Sequence, residues 1–202
     1  LDISATNNNS SPDEELVRQV ASECSVPLTV GGGIKELYQA QFLIDSGADK
    51  VCLNTAPFYN KAIVTNIAKK FGSQAVVGSV DVKKIDGKYF CFSNSGKKRH
   101  NIHPVEWVKN LVAMGCGEIL LTSIDREGTM SGYDLEICLQ VSSSVRVPVV
   151  VNGGAGSYDH MHKALIETKI SAVAASSIFH FTDLTPFGAK EYLSNKGINI
   201  RK

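Results

Sequence analysis

The chain has no CxxC pair, no apolar run approaching the roughly 18–20 residues that cross a bilayer, and almost no net charge. Each absence closes off a class of function. The five cysteines are Cys24, Cys52, Cys91, Cys116 and Cys138. Their odd number and irregular spacing suggest neither a disulfide framework nor a zinc site, so reduced, mostly buried thiols are expected. With no apolar spanning run and no visible signal peptide, a cytoplasmic location is expected. A formal net charge of +1 gives no polyanion signal, so neither nucleic acid nor a membrane surface is an expected partner. The basic runs at 83–85 and 96–100 are local and read as solvated loop. His160 and His162 stand two residues apart, the wrong spacing for one helical face, and are not read as metal ligands. GxGxxG and G-x-S-x-G are also absent, which argues against a Rossmann dinucleotide site and a hydrolase nucleophile elbow. No cofactor is expected.

What is present is a regular alternation. At 202 residues and 43% hydrophobic content, the chain suits one large domain or two small ones. Seven apolar runs end in polar residues: LDISAT, VPLTVGGG, DKVCLNT, AVVGSVD, EILLTSID, VPVVVNGG and SAVAASS. Helical patterns follow them at 14–24, 35–47, 60–72, 103–115, 135–144, 158–168 and near 184–196. For the first helix, Ser11 is expected as cap with Pro12 in the first turn. Leu16, Val17, Val20 and Cys24 should then form one apolar stripe. Asp86-Gly87 between two extended runs signals a hairpin. The segment SNSGKKRHN that follows reads as a polar loop.

The runs repeat. VPLTVGGGI at 26–34 matches VPVVVNGGA at 147–155, an offset of 121 residues. KVCLNT at 50–55 matches AVAASS at 172–177, an offset of 122, and Asp2 matches Asp125, an offset of 123. Two related halves with strand–helix alternation favour an α/β (β/α)8 TIM barrel with a two-fold internal repeat over an open doubly wound sheet. The partner of Asp81 would lie about 40 residues before Leu1, so roughly 45–50 residues, strand 1 and helix 1, are expected to be missing. Residues 1–202 are thus expected to be a single incomplete TIM-barrel domain holding strands 2 to 8.

In such a barrel the chemistry sits where the strands end. The carboxylates there are Asp2, Asp81 and Asp125. The remaining ends carry Gly31 to Gly33, Asn54 and Thr55, Asn152 to Gly154, and Ser176 and Ser177. Glycines let backbone N–H groups approach an oxyanion, and the neighbouring hydroxyls and amide add donors. Two such sets on opposite sides of the ring imply a long substrate with a phosphate at each end. Asp81 is either a general acid or base, or a structural carboxylate paired with Lys83 or Lys84. Arg126 makes a structural pair the natural reading for Asp125. Lys50 and Glu118 stand at the opposite, N-terminal mouth, where charges are usually solvated or paired.

The phrases VGGGIK, GADKVCLNTAP, SVDVKK, SGKKR, GEILLTSIDREGTMSGYD, NGGAGS and SIFHF together resemble the cyclase subunits of imidazole glycerol phosphate synthase over essentially the whole chain. The resemblance implies a histidine-biosynthesis lyase of the glutamine amidotransferase type. It would take a bis-phosphate ribonucleotide precursor plus ammonia, and release imidazole glycerol phosphate and aminoimidazole carboxamide ribotide. The partner implied is a glutaminase subunit docked on the N-terminal barrel face. Asp81 matches one of two catalytic aspartates; the other would lie before Leu1, so residues 1–202 alone are expected to be inactive. Gly32, Gly33, Asn54 and Thr55 match one phosphate site, and Gly153, Gly154, Ser176 and Ser177 the other. Ser95, Thr122 and Asp125 match substrate-facing residues, and Lys50 and Glu118 match an ammonia gate. NNNSSPD, Asn152 and the TDLTPFGAKEYL tail depart from the pattern. They resemble a paralogue from surface-polysaccharide clusters that feeds ammonia to a sugar amidotransferase. A non-catalytic, phosphate-binding docking barrel is a third reading.

Overall fold

The computed structural model describes residues 1–2 and 12–201. Six parallel strands form its centre: β1 (Thr29–Gly31), β2 (Lys50–Leu53), β3 (Val76–Ile85), β6 (Glu118–Ser123), β7 (Val149–Asn152) and β8 (Ala172–Val173). They pair in the order β1-β2-β3-β6-β7-β8. The Asp2 N–H donates to the Gly31 carbonyl at 2.8 Å, so the start of the LDISAT run lies against β1. Residues 3–11, which hold the rest of that run and the expected Ser11 cap, fall outside the described residues.

Helices follow the strands: α1 (Glu14–Glu23), α2 (Leu37–Asp45), a short α3 (Ala56–Tyr59), α4 (Ala62–Phe71), α5 (Pro104–Met114), α6 (Leu135–Ser142), α7 (Tyr158–Glu167), α8 (Ser177–Phe181) and α9 (Pro186–Asn195). β2 and the first half of β3 are buried almost continuously, while β6 and β7 alternate buried and half-buried residues. Val51, Cys52 and Leu53 are all buried, as are Val76 to Val80, because helices cover one face and the other turns inward. Around them packs one core that includes Leu43, Ile67, Leu111, Ile119, Leu121 and Ile137.

The sheet curls. One cavity at the strand ends is lined by Asp2, Gly32, Asn54, Asp81, Thr122 and Asn152, which follow or belong to strands from β1 to β7. On a flat sheet those ends would spread over about 19 Å. At the opposite end, the Lys50 ammonium meets the Glu118 carboxylate at 2.5 Å, spanning across β3 from the start of β2 to the start of β6.

Three details differ from the sequence reading. Helix α1 is capped by Asp13, whose carboxylate accepts from the N–H groups of Glu15 and Leu16 at 2.9 and 3.2 Å. Of the expected α1 stripe only Val17 is buried, while Leu16 and Val20 are exposed at 58% and 43%, so among the described residues nothing packs over that side. Finally, SNSGKKRHN is not all loop. Residues Lys98–His100 form β5, which pairs antiparallel with β4 (Lys88–Ser93), and β4 pairs with the far half of β3. Asp86 and Gly87 make the first turn with φ of 48° and 76°, the positive pair that a tight hairpin requires. Lysine and arginine disguise β5 because it is an exposed edge strand that no apolar face marks out.

Candidate functional site

β3 is ten residues long because it pairs with three strands of the one sheet. Its first half pairs with β2 and β6, and its far half runs on into the hairpin. Asp81 sits where the two overlap, paired with Thr122 on one side and Phe92 on the other. That position carries the carboxylate to the floor of a cavity of about 650 Å³. Burial pushes the Asp81 carboxyl up from 3.8 to about 6, the negative charge of Glu127 adds to this, and a hydrogen bond from Ser79 opposes it. A carboxyl at about 6 exchanges protons near neutral pH, as a general acid or base must. The nearby Cys52 thiol is pushed up to about 12, chiefly by burial and then by Asp81, and stays protonated.

The lysines that would have neutralised Asp81 are engaged elsewhere. Lys84 pairs with Glu136 at 2.6 Å, and Lys83 lies 4.0 Å from Asp125. The structural reading of Asp81 as a Lys83 or Lys84 partner is therefore replaced. So is the expected Asp125–Arg126 pair: the Asp125 carboxylate accepts from the Lys84 backbone N–H at 2.8 Å, while Arg126 donates to Ser131 Oγ at 3.1 Å. Asp125 braces the far end of β3, beside the 86–87 turn, and is not among the residues lining either strand-end cavity.

The two glycine pairs fold alike. Gly32 and Gly33 have φ of 117° and 64°; Gly153 and Gly154 have 93° and 103°. These values lie in the left-handed region that favours glycine. The close approach is equivalent too. A Cβ on Gly32 would sit 2.2 Å from the Asp2 carbonyl oxygen, and one on Gly153 would sit 2.7 Å from that of Ser123, the last residue of β6.

Gly32, Gly33, Asn54 and Thr55 line the large cavity together with Ser95 and Thr122. Asn54 donates toward the carbonyls of Ser79 and Phe92 at 3.3 and 3.4 Å. Thr55 Oγ1 accepts from the Asn94 N–H at 3.1 Å, which ties the hairpin tip over this end. Asn94 and Ser95 take φ of 52° and 54°, and Gly96 takes 79°, so the tip bends inward through three left-handed residues. Gly153, Gly154, Ser176 and Ser177 line a second, much narrower cavity.

Glu127 is the residue that sequence reasoning missed. It lines both cavities, and its carboxylate accepts from Asn152 Nδ2 at 3.1 Å. Asn152 thus bridges two groups, reaching Thr122 Oγ1 at 3.5 Å on one side and holding Glu127 on the other. The only sequence signal was position, a carboxylate two residues after Asp125 in the loop behind a strand end. Among the described residues, no three His, Cys, Asp or Glu side chains gather as a metal site. No helix there is long and apolar enough to cross a membrane. All five cysteines are free, and all but Cys24 are buried.

Comparison with known proteins bears on this geometry directly. The profile of the histidine biosynthesis protein family matches residues 1–185. Imidazole glycerol phosphate synthase subunit HisF of Chlorobaculum tepidum is 45% identical over 201 residues, covering 100% of this chain and 80% of the relative. The subunits of the same name from Chlorobium phaeobacteroides and Thermotoga sp. are also 45% identical, with 80% and 79% of their lengths covered. Matches of that extent, falling across both glycine pairs and the Asp81 strand, establish that the chain belongs to the histidine biosynthesis family, with HisF subunits of imidazole glycerol phosphate synthase as its relatives.

Proposed function

We propose that this chain is the cyclase of an imidazole glycerol phosphate synthase, using ammonia to convert a bis-phosphate ribonucleotide precursor to imidazole glycerol phosphate and aminoimidazole carboxamide ribotide. The observation that carries this reading is the pair of equivalent positive-φ glycine turns around one raised-pKa carboxylate. The curled sheet reads as the arc of a (β/α)8 barrel, with Leu1–Asp2 as the next strand beside β1, in one domain spanning 1–202. Gly32, Gly33, Asn54 and Thr55 hold one phosphate; Gly153, Gly154, Ser176 and Ser177 hold the other. Together they fix a flexible substrate in an attack-ready geometry, which removes much of the entropic barrier.

Asp81 moves the proton as ammonia adds and the ring closes. Ser95 and Thr122 face the substrate between the clamps. Asp125 contributes from outside, by bracing the far end of β3, against which β4 pairs before the Ser95 turn. The half-buried Lys50–Glu118 pair closes the far mouth as an ammonia gate, and a glutaminase subunit docks over that mouth. Ammonia, being uncharged, passes a dry interior more readily than ammonium does.

The test is turnover of the full-length protein on the nucleotide precursor with ammonium salt. Asp81→Asn should lower kcat by about 10²–10⁴-fold while substrate still binds. Unchanged turnover would remove Asp81 from this role. The second reading, a paralogue that supplies ammonia to a sugar amidotransferase, rests on Asn152 and the Glu127 carboxylate it holds beside the second glycine pair, where a phosphate would be repelled. It predicts no cyclase turnover at all, yet normal ammonia transfer.

A further inference from the structure

Behind the loop that carries Glu127 lies another cavity, of about 450 Å³, facing away from the strand-end site. Its walls come from the β3–β4 hairpin beside its turn (Lys84, Tyr89), the loop after β6 (Arg126, Ser131) and α7 (His160, Lys163). Asp134 and Glu136 also line it. Glu136 pairs with Lys84 at 2.6 Å, and Asp134 accepts from Tyr89 Oη at 2.8 Å.

The donors on the other wall are not met. Among the described residues neither Arg126 nor Lys163 comes within 4.0 Å of a carboxylate; the Arg126 guanidinium meets only Ser131 Oγ, at 3.1 Å. His160 Nδ1 accepts from the Gly156 N–H at 3.2 Å, which leaves Nε2 as the ring nitrogen that can donate. A guanidinium, an ammonium and an imidazole N–H on one concave wall form the donor set that binds oxyanions.

The wall is also the back of the loop that carries Glu127. The N–H groups of Arg126 and Glu127 both donate to the Ser123 carbonyl, at 3.1 and 3.0 Å, so one turn sends adjacent side chains into opposite cavities. The Gly132 N–H donates to the Gly154 carbonyl at 2.7 Å, and a Cβ on Gly154 would lie 3.1 Å from that of Arg126. Ordering Arg126 therefore orders both Glu127 and the second glycine pair.

We propose that the Arg126–His160–Lys163 cavity is an effector site for a small oxyanionic molecule, and that filling it tightens substrate binding at the strand-end site. Its kinetic half rests on the cyclase reading; its binding half does not. An anion that pins the loop in advance relieves the substrate of that ordering cost.

The test begins with crystals of the full-length protein soaked in selenate, whose anomalous signal marks every oxyanion position. A peak is expected at Arg126, His160 and Lys163, apart from any at the glycine pairs, and it should vanish in Lys163→Gln. Missing density there, or density that survives the substitution, overturns the site. Peaks here but not at the glycine pairs would sink the two-phosphate reading and leave this one standing. Turnover is then measured with and without sulfate at constant ionic strength. In sulfate, the KM of the native protein should be about fivefold below that of Lys163→Gln, an ordinary strength for coupled sites. Without sulfate the two should agree in kcat and KM. Equal KM values in sulfate would mean an adventitious ion only, and would overturn the proposal.

Discussion

The two glycine pairs begin alike and end differently. Both follow a run that opens Val-Pro, both turn through two positive-φ glycines, and both press against a backbone carbonyl of a neighbouring segment. Yet the side chains at the first pair are already bonded into the protein. Asn54 reaches two carbonyls, and Thr55 anchors the hairpin tip. At the second pair, Ser176 is exposed, and the neighbouring polar network runs instead through Asn152 and Glu127. The hairpin explains the asymmetry. β4 and β5 extend from β3, and their turn leans over only the first pair. The two turns are alike in backbone, but one of them holds this lid and the other does not.

The comparison breaks most severely at the centre, at Asp81, which belongs to neither pair. If it serves a substrate held at both ends, Asp81→Asn should abolish nearly all turnover, by the factor given above. It should also erase the acid limb near pH 6 from the kcat/KM profile of the ammonium-dependent reaction. A limb that survives the substitution would assign the titration to another group.

Next come the turns themselves. Gly32→Ala forces a Cβ to 2.2 Å from a backbone oxygen at φ 117°, and Gly153→Ala to 2.7 Å at φ 93°. Both should destabilise by several kcal/mol, of order 2–4, with Gly32→Ala the worse. Urea midpoints of the two variants check the ranking, and a reversal would mean that the repeat's equivalence is looser than the backbone suggests.

Asp81 also carries a stability effect of opposite sign. Its folded pKa is raised above its unfolded value, so the folded state binds the proton more tightly than the unfolded chain does. Stability is therefore highest when Asp81 is protonated, and falls as pH rises from about 4 through about 6. Above that window Asp81→Asn should be the more stable protein, by no more than about 3 kcal/mol. The gain should shrink as the medium is acidified, which urea melts at about pH 5 and pH 7.5 would reveal.

The smallest effects sharpen the asymmetry most. Thr55→Ala leaves the Asn94 N–H without its acceptor and should cost about 1 kcal/mol, seen as a drop in Tm of about 2–4 °C. Ser176→Ala should change stability by less than about 0.5 kcal/mol, yet raise the substrate KM. If both variants behave alike in both measurements, the two ends differ less than their bonding implies.

Much of this was legible beforehand, for identifiable reasons. The β2, β3, β6 and β7 strands are built on apolar runs whose residues are buried or half-buried, and such runs announce themselves without a periodicity argument. The glycine pairs were legible because a repeat at one offset is a signal independent of any single motif. Lys50 and Glu118 were placed at one rim by strand order, and the carboxylate does reach the ammonium. What escaped were features set by contact. β5 carries Lys98 and Arg99 on an edge that needs no apolar face. Asp125 and Glu127 are two residues apart in one loop, and nothing local says which of them turns to the hairpin and which to the site.

The order of elements, the duplicated turns and the position of Asp81 at a strand end follow from the amino-acid sequence, because backbone preference and hydrophobic burial act over a few residues at a time. Which carboxylate faces Asp81, how far burial lifts its pKa, and which glycine pair lies under the hairpin were decided only when the sheet curled. Curling brings residues from strands four places apart around one cavity, and both the electrostatic field and the desolvation inside it depend on that closed arrangement rather than on any neighbour along the chain.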